Sequence, residues 1–157
     1  MKFFLIGTGL IGGSMSKDLR NILNNIQIHG IDKNEISVKH AKSIGVIDNI
    51  DSLENLNSAD RVILSVPVSE SLKILPIVLD NLNKDALVWD VGSTKFSLCK
   101  LVENHSKREQ FLATHPVAGN ELSGPEASIE NLFDGKIQIL CETNKTRPDL
   151  LLSLIHI

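Results

Sequence analysis

The sequence is short of cysteine, of positive charge and of long apolar runs. Its two cysteines, Cys99 and Cys141, stand far apart and in no metal-type spacing. That argues against a disulfide scaffold or a thiolate metal site, and free thiols in a reducing cytosol are expected. The 16 Lys and Arg face 19 Asp and Glu, for a net charge of −3. A phosphate-backbone binder needs the opposite balance, so a nucleic-acid partner is not expected. No stretch approaches the roughly 20 apolar residues of a membrane span. The apolar run after Lys2 breaks at Gly7 without a cleavage pattern, so it does not read as a signal peptide. A soluble cytoplasmic protein is expected. Repeats and low-complexity tracts are also lacking, and 157 residues are expected to hold one domain.

What the sequence does have is alternation. Compact apolar runs at Phe3–Ile6, Ile26–Ile31, Arg61–Val66, Ala86–Val91, Gln110–Thr114 and Ile137–Cys141 predict strands, with a weak one at Val46–Ile50. Helical periodicity predicts helices over Leu10–Asn24, Asn34–Ile44, Glu70–Leu82 and Lys95–His105. Strand–helix alternation from the first residue predicts an α/β fold: a doubly wound, mostly parallel Rossmann-type sheet with helices on both faces. The segment Pro116–Gly135 reads as a functional loop with a short helix.

Gly7-Thr8-Gly9-Leu10-Ile11-Gly12 follows the first strand and opens the first helix, the context in which GxGxxG binds a dinucleotide. Gly7 permits a tight turn, Gly9 a close approach of pyrophosphate, and Gly12 close packing of helix on sheet. Asp32, 20 residues after Gly12, ends the second strand, where a carboxylate accepts hydrogen bonds from ribose hydroxyls and repels a 2′-phosphate. NAD is the expected cofactor; Lys33 beside Asp32 weakens the discrimination against NADP. No metal is expected.

Ligands of an open parallel sheet bind beyond the carboxyl ends of its strands. That edge carries Ser65-Val66-Pro67, expected against the cofactor, Asp90-Val91-Gly92-Ser93-Thr94-Lys95, and Thr114-His115-Pro116-Val117-Ala118-Gly119. His115 is the best candidate for proton transfer, since imidazole changes charge near neutral pH; alternatively it only hydrogen-bonds loop backbone. Ser93 either orients His115 or caps the next helix. Asp90 either orders the loop through backbone N–H groups or is solvated. Lys95 either meets an anionic substrate or is solvated. Glu121 and Ser123 either touch substrate or are ordinary loop polarity. Trp89, near the end of its strand, is expected to report cofactor binding by its fluorescence.

Three segments together resemble the prephenate dehydrogenase family over about residues 1–150: Gly7–Ser14, Asp90–Lys95, and His115-Pro116-Val117-Ala118-Gly119-Asn120-Glu121-Leu122-Ser123-Gly124. The resemblance implies NAD-dependent oxidative decarboxylation of prephenate to 4-hydroxyphenylpyruvate in tyrosine biosynthesis. His115 takes the place of the family's histidine that bonds the substrate hydroxyl and helps remove its proton. Ser93 matches the serine that contacts that histidine. Ser93, His115, Glu121 and Ser123 are then the expected substrate contacts.

The resemblance further implies a helical C-terminal domain that completes the substrate site, binds a substrate carboxylate through an arginine and forms a homodimer. None of Arg20, Arg61, Arg108 and Arg147 sits in a matching motif. Residues 1–151 are expected to be the NAD-binding domain, active weakly or not at all by itself. Residues 152–157 resemble the translation of a sequencing adapter and are expected to be a non-native tail; the alternative is a genuine apolar helix beginning near Arg147. The alternatives are arogenate dehydrogenase, another small NAD(P)-dependent reductase, or an NAD-binding regulatory module.

Overall fold

The computed structural model of the chain describes residues 1–155. In chain order they form β1 (Lys2–Ile6), α1 (Leu10–Ile22), β2 (Gln27–Ile31), α2 (Glu35–Ser43), β3 (Asn49–Ile50), β4 (Arg61–Leu64), α3 (Val68–Asn81), β5 (Leu87–Asp90), α4 (Phe96–Leu101), β6 (Phe111–Pro116), β7 (Gln138–Cys141) and α5 (Pro148–Ile155). The strands make one sheet in the order β3-β2-β1-β4-β5-β6-β7. The first six run parallel and β7 runs antiparallel to β6. This is the doubly wound α/β fold expected. Among the described residues no helix is long and apolar enough to cross a membrane.

Alternation along the strands builds two cores. On β1, Phe3 and Leu5 face one side with Leu19, Val38, Ala41, Trp89 and Leu150, under α1, α2 and α5. Phe4 and Ile6 face the other with Leu75, Val78, Leu79, Leu98 and Val102, under α3 and α4. A one-residue slip of β1 would exchange the two sets, so both cores defend the register. The order reverses between β1 and β4, whose carboxyl ends splay the following loops apart and leave a crevice at that edge.

Among the departures from expectation are three element boundaries and one added turn. β3 shrinks to two residues because Val46 and Ile47 are buried on a turn between α2 and the sheet. Helix α4 stops at Leu101, and a turn at Val102 and a 3-10 turn at Arg108–Gln110 carry the chain into β6. β6 runs on through His115 and Pro116 because β7 offers them partners, Ile139 and Gln138. A 3-10 turn at Leu53–Ser58 occupies a stretch with no expected element. Leu152–Ile155 continue α5, where Ser153 Oγ accepts a 2.9 Å hydrogen bond from Arg61. The tail expected over residues 152–157 therefore begins inside that helix and ends at His156 and Ile157, which lie outside the described residues.

Candidate functional site: the edge beyond the strand ends

The three glycines of the first loop are glycine for different reasons. Gly7 adopts φ +93°, and a Cβ there would stand 2.2 Å from the Ser65 carbonyl oxygen. A Cβ on Gly12 would stand 2.4 Å from the Gly7 oxygen and 2.7 Å from Leu5. Both are demanded by the packing of the chain on itself. Gly9 is not: its φ is −76°, and a Cβ there meets nothing within 4 Å. The chain keeps this position bare in front of the N-terminus of α1. No side chain caps that end and no acidic residue lies in its first turn. Its free N–H groups and positive dipole end suit a phosphate.

Asp32 stands half-buried just past β2. One carboxylate oxygen accepts from the Thr8 N–H at 2.9 Å and the Thr8 hydroxyl at 3.1 Å; the other accepts from Asn34 N–H at 2.9 Å. Thr8 was expected among the cofactor contacts, but it is wholly buried and both its donors serve Asp32. Its work is to orient that carboxylate. Asp32 keeps acceptor capacity, since a carboxylate offers about four lone-pair sites.

Two cavities meet at Gly9 and Ser65. One, of about 400 Å³, is lined by Gly7, Gly9, Asp32, Ser65, Val66 and Pro67, with apolar walls from Ile31, Leu53 and Ile74 and charged Lys33 and Glu70. The other, of about 340 Å³, lies between Gly9, Leu10 and Ile11 and the loop residues Ala118, Asn120, Leu122 and Ser123. The expected cofactor residues other than Thr8 and Gly12 line these two spaces. Gly12 is buried beneath them as a packing position. Leu53, Ile74 and Glu70 escaped the sequence reading. Leu53 shares an unexpected 3-10 turn with the fully buried Leu56, and Glu70 reads as an ordinary first-turn acid of α3.

His115 sits on β6, half-buried, one residue inside the start of the 117–137 loop. Its Nδ1 lies 3.4 Å from the Val91 carbonyl oxygen. The expected contact with Ser93 is not formed: Ser93 is exposed and bonds neither His115 nor the start of α4. The group that orders this region is Asp90. Its side chain is 1% exposed and accepts from Gly92 N–H at 3.0 Å, Thr114 N–H at 3.2 Å and Lys95 Nζ. Lys95 Nζ also donates to the Thr114 carbonyl at 2.6 Å. Burial pushes the Asp90 carboxyl above the ordinary carboxylate range, against the pull of Lys95. Lys95 is thus neither solvated nor aimed at a ligand; it ties β5 to the residue before His115.

The loop after His115 is fastened at both ends. Val117 N–H donates to Ile137 O at 2.8 Å. Farther on, Lys17 of α1 bonds Ser128 O at 2.6 Å, Ser14 Oγ accepts from Ile129 N–H, and Asp18 accepts from Asn131 N–H. Between these ties lie Gly119 and Gly124, both at positive φ. Ser123 faces the second cavity, whereas Glu121 is exposed and lines neither. Trp89 also departs from expectation: it is 4% exposed, in the core under α1 with Leu19 and Met15, away from both cavities. Its side chain follows the pleat of β5 to the opposite face from Asp90.

Comparison with known proteins agrees with this geometry. Residues 15–157 match the family model described as prephenate dehydrogenase, nucleotide-binding domain. The chain is 32% identical over 157 residues to the prephenate dehydrogenase of Lactococcus lactis subsp. cremoris, covering 98% of this chain and 44% of that protein. Prephenate dehydrogenase from A. aeolicus, solved with hydroxyphenyl propionate and NAD+, superposes with a TM-score of 0.86 at 33% identity, over 99% of this chain and 55% of that one. Synechocystis arogenate dehydrogenase superposes with a TM-score of 0.88 at 28% identity, over the same shares. The chain therefore spans about half the length of the relatives it matches. The nucleotide-binding description and the NAD+ of the A. aeolicus relative support NAD as the cofactor. The chain belongs to the prephenate dehydrogenase family and comprises its nucleotide-binding domain.

Proposed function

We propose that the protein binds NAD at this edge and, in its full-length form, catalyses oxidative decarboxylation of prephenate to 4-hydroxyphenylpyruvate. The carrying observation is Gly9, left bare by nothing in the chain's own packing, at the point where the two cavities join. The α1 N-terminus and Gly9 hold the pyrophosphate. Asp32 holds the adenosine ribose, and Ile31, Leu53, Val66 and Ile74 wall the adenine. When bound, the nicotinamide supplies the hydride acceptor.

His115 accepts the proton of the substrate hydroxyl, which raises the hydride-donating power of the carbon that bears it. Carbon dioxide then leaves and the ring becomes aromatic. Ser93, Glu121 and Ser123 are proposed to meet substrate as it enters beside the 117–137 loop. Substrate turnover is proposed for the full-length protein, a cytoplasmic homodimer in this reading, with cofactor binding as the readout of this chain; the greater length of the relatives supports this. Arogenate is the second substrate reading, favoured by the Synechocystis relative; assaying both substrates on the full-length protein separates them.

Millimolar NAD+ is expected to raise the melting temperature of the chain. Gly9→Ala is expected to abolish that shift while leaving the unliganded melting temperature near the parent's, because its Cβ enters open space. His115→Ala is expected to keep the shift and, in the full-length protein, to remove turnover. A chain with no NAD+ response at millimolar concentration would overturn the proposal, as would a His115→Ala enzyme that turns over normally. A regulatory module would be indifferent to the histidine.

A further inference from the structure

The larger cavity carries opposing charge signals beside Asp32. Asp32 itself disfavours a 2′-phosphate. The next residue, Lys33, is the one basic group among the cavity's lining residues, its side chain 77% exposed and free to move. A lysine there would draw a 2′-phosphate, as a flexible cation does. Across the mouth, on the first turn of α3, Glu70 lies 3.7 Å from Lys33 Nζ and 2.8 Å from Lys73 Nζ. Glu70 is far less exposed than Lys33, at 28%.

We propose that Glu70 is a cofactor-selectivity residue: paired with Lys33 across the cavity mouth, it keeps that lysine from serving a 2′-phosphate and so favours NAD over NADP. The inference deepens the NAD reading and rests on it. Glu70 acts through Lys33 and also adds a negative charge to the rim, whereas Lys73, outside the lining, only steadies Glu70 from behind. Asp32 alone would leave Lys33 to offset it. With Glu70 in place, Asp32 and Glu70 outnumber Lys33 among the lining residues, which disfavours added phosphate charge there.

The test is calorimetric titration of the 157-residue chain with NAD+ and with NADP+. Glu70→Gln is expected to raise the ratio of NADP+ to NAD+ affinity roughly fivefold at low ionic strength, the reach of an exposed ion pair. The gain is expected to shrink at about 0.5 M salt. Lys33→Ala/Glu70→Gln is expected to lose the gain, and Lys73→Met to show none. A purely structural role for Glu70 would weaken both nucleotides alike and leave the ratio unmoved. An unchanged ratio in Glu70→Gln overturns the proposal, and a gain that survives in the double variant overturns the part given to Lys33. A parent chain that binds neither nucleotide fails the NAD reading itself, a result distinct from either.

Discussion

Replacing Lys95 by Met separates the contribution of the Asp90–Lys95 pair from everything else at the edge. Met matches the stem of Lys95 and removes only the ammonium. Asp90, 1% exposed, would keep its two backbone donors from Gly92 and Thr114 but lose its countercharge, and the Thr114 carbonyl would lose its lysine donor. Removing one partner of a buried pair costs about 3–5 kcal/mol. The whole domain is held by roughly 5–15 kcal/mol. At about 2–4 °C per kcal/mol for a chain of this size, melting should fall by roughly 6–20 °C.

The loss should depend on pH in a definite direction. Burial raises the folded Asp90 carboxyl above its unfolded value, and the variant lacks the lysine that opposes this. Between the unfolded value near 4 and the raised folded value, the folded state binds more proton. Stability of the variant therefore falls as pH rises through that window and returns as pH drops below it. Asp90→Asn/Lys95→Met, with no buried charge, should be flat there and more stable than the single variant at pH 7. Urea unfolding at pH 7 and near pH 4 reads all three. A single variant within about 1 kcal/mol of the parent at pH 7, or one whose deficit does not shrink in acid, would refute the argument.

Three further outcomes are expected. The Asp51 carboxyl is held below the ordinary range: burial opposes this, but hydrogen bonds from Asn55, Ser52 N–H and His29 outweigh it. Its contribution is thus present above pH about 4 and lost as pH falls toward its folded value, so Asp51→Asn should cost about 1–2 kcal/mol at neutral pH and less near pH 3 by urea unfolding. Burial and the neighbouring Glu142 push the Cys99 thiol up to about 11; iodoacetamide should alkylate it slowly at pH 8, and a rate equal to a free thiol's would contradict this. Leu53→Ala, which opens one wall of the larger cavity, should weaken NAD+ binding by calorimetry about tenfold through lost apolar contact, and unchanged affinity would remove Leu53 from the adenine wall.

Much of the edge was legible because it depends on local pattern. The apolar runs at Phe3–Ile6 and Arg61–Val66, the glycine loop and Asp32 are each defined within a few residues, and the fold places them where the pattern said. What escaped depends on partners distant in sequence. His115 belongs to a strand only because Ile139 pairs with it. Thr8 turns inward because Asp32, 24 residues on, takes both its donors. Lys95 reads in the sequence as either a substrate contact or a solvated lysine, and only the fold brings Asp90 and Thr114 to it. Trp89 was placed by its nearness to a strand end, but the pleat sends it under α1. Leu53 gains a role only when the reversal of strand order brings it beside Ile31 and Ile74.

The double fastening of the 117–137 loop bears on the thermodynamics of ligand capture. Fixing one free residue costs roughly 1–2 kcal/mol. A ten-residue flap loose at one end would set that cost against binding each time a substrate arrived. Here Val117 is hydrogen-bonded to Ile137 and Ser128, Ile129 and Asn131 are gripped by α1. The stretch between these ties carries Gly119 and Gly124, both at positive φ. Most of the ordering is accomplished when the domain folds, so ligand affinity need not absorb it. The same helix whose N-terminus is proposed to hold the phosphates grips the far limb of the loop, so both halves of the candidate site share one frame.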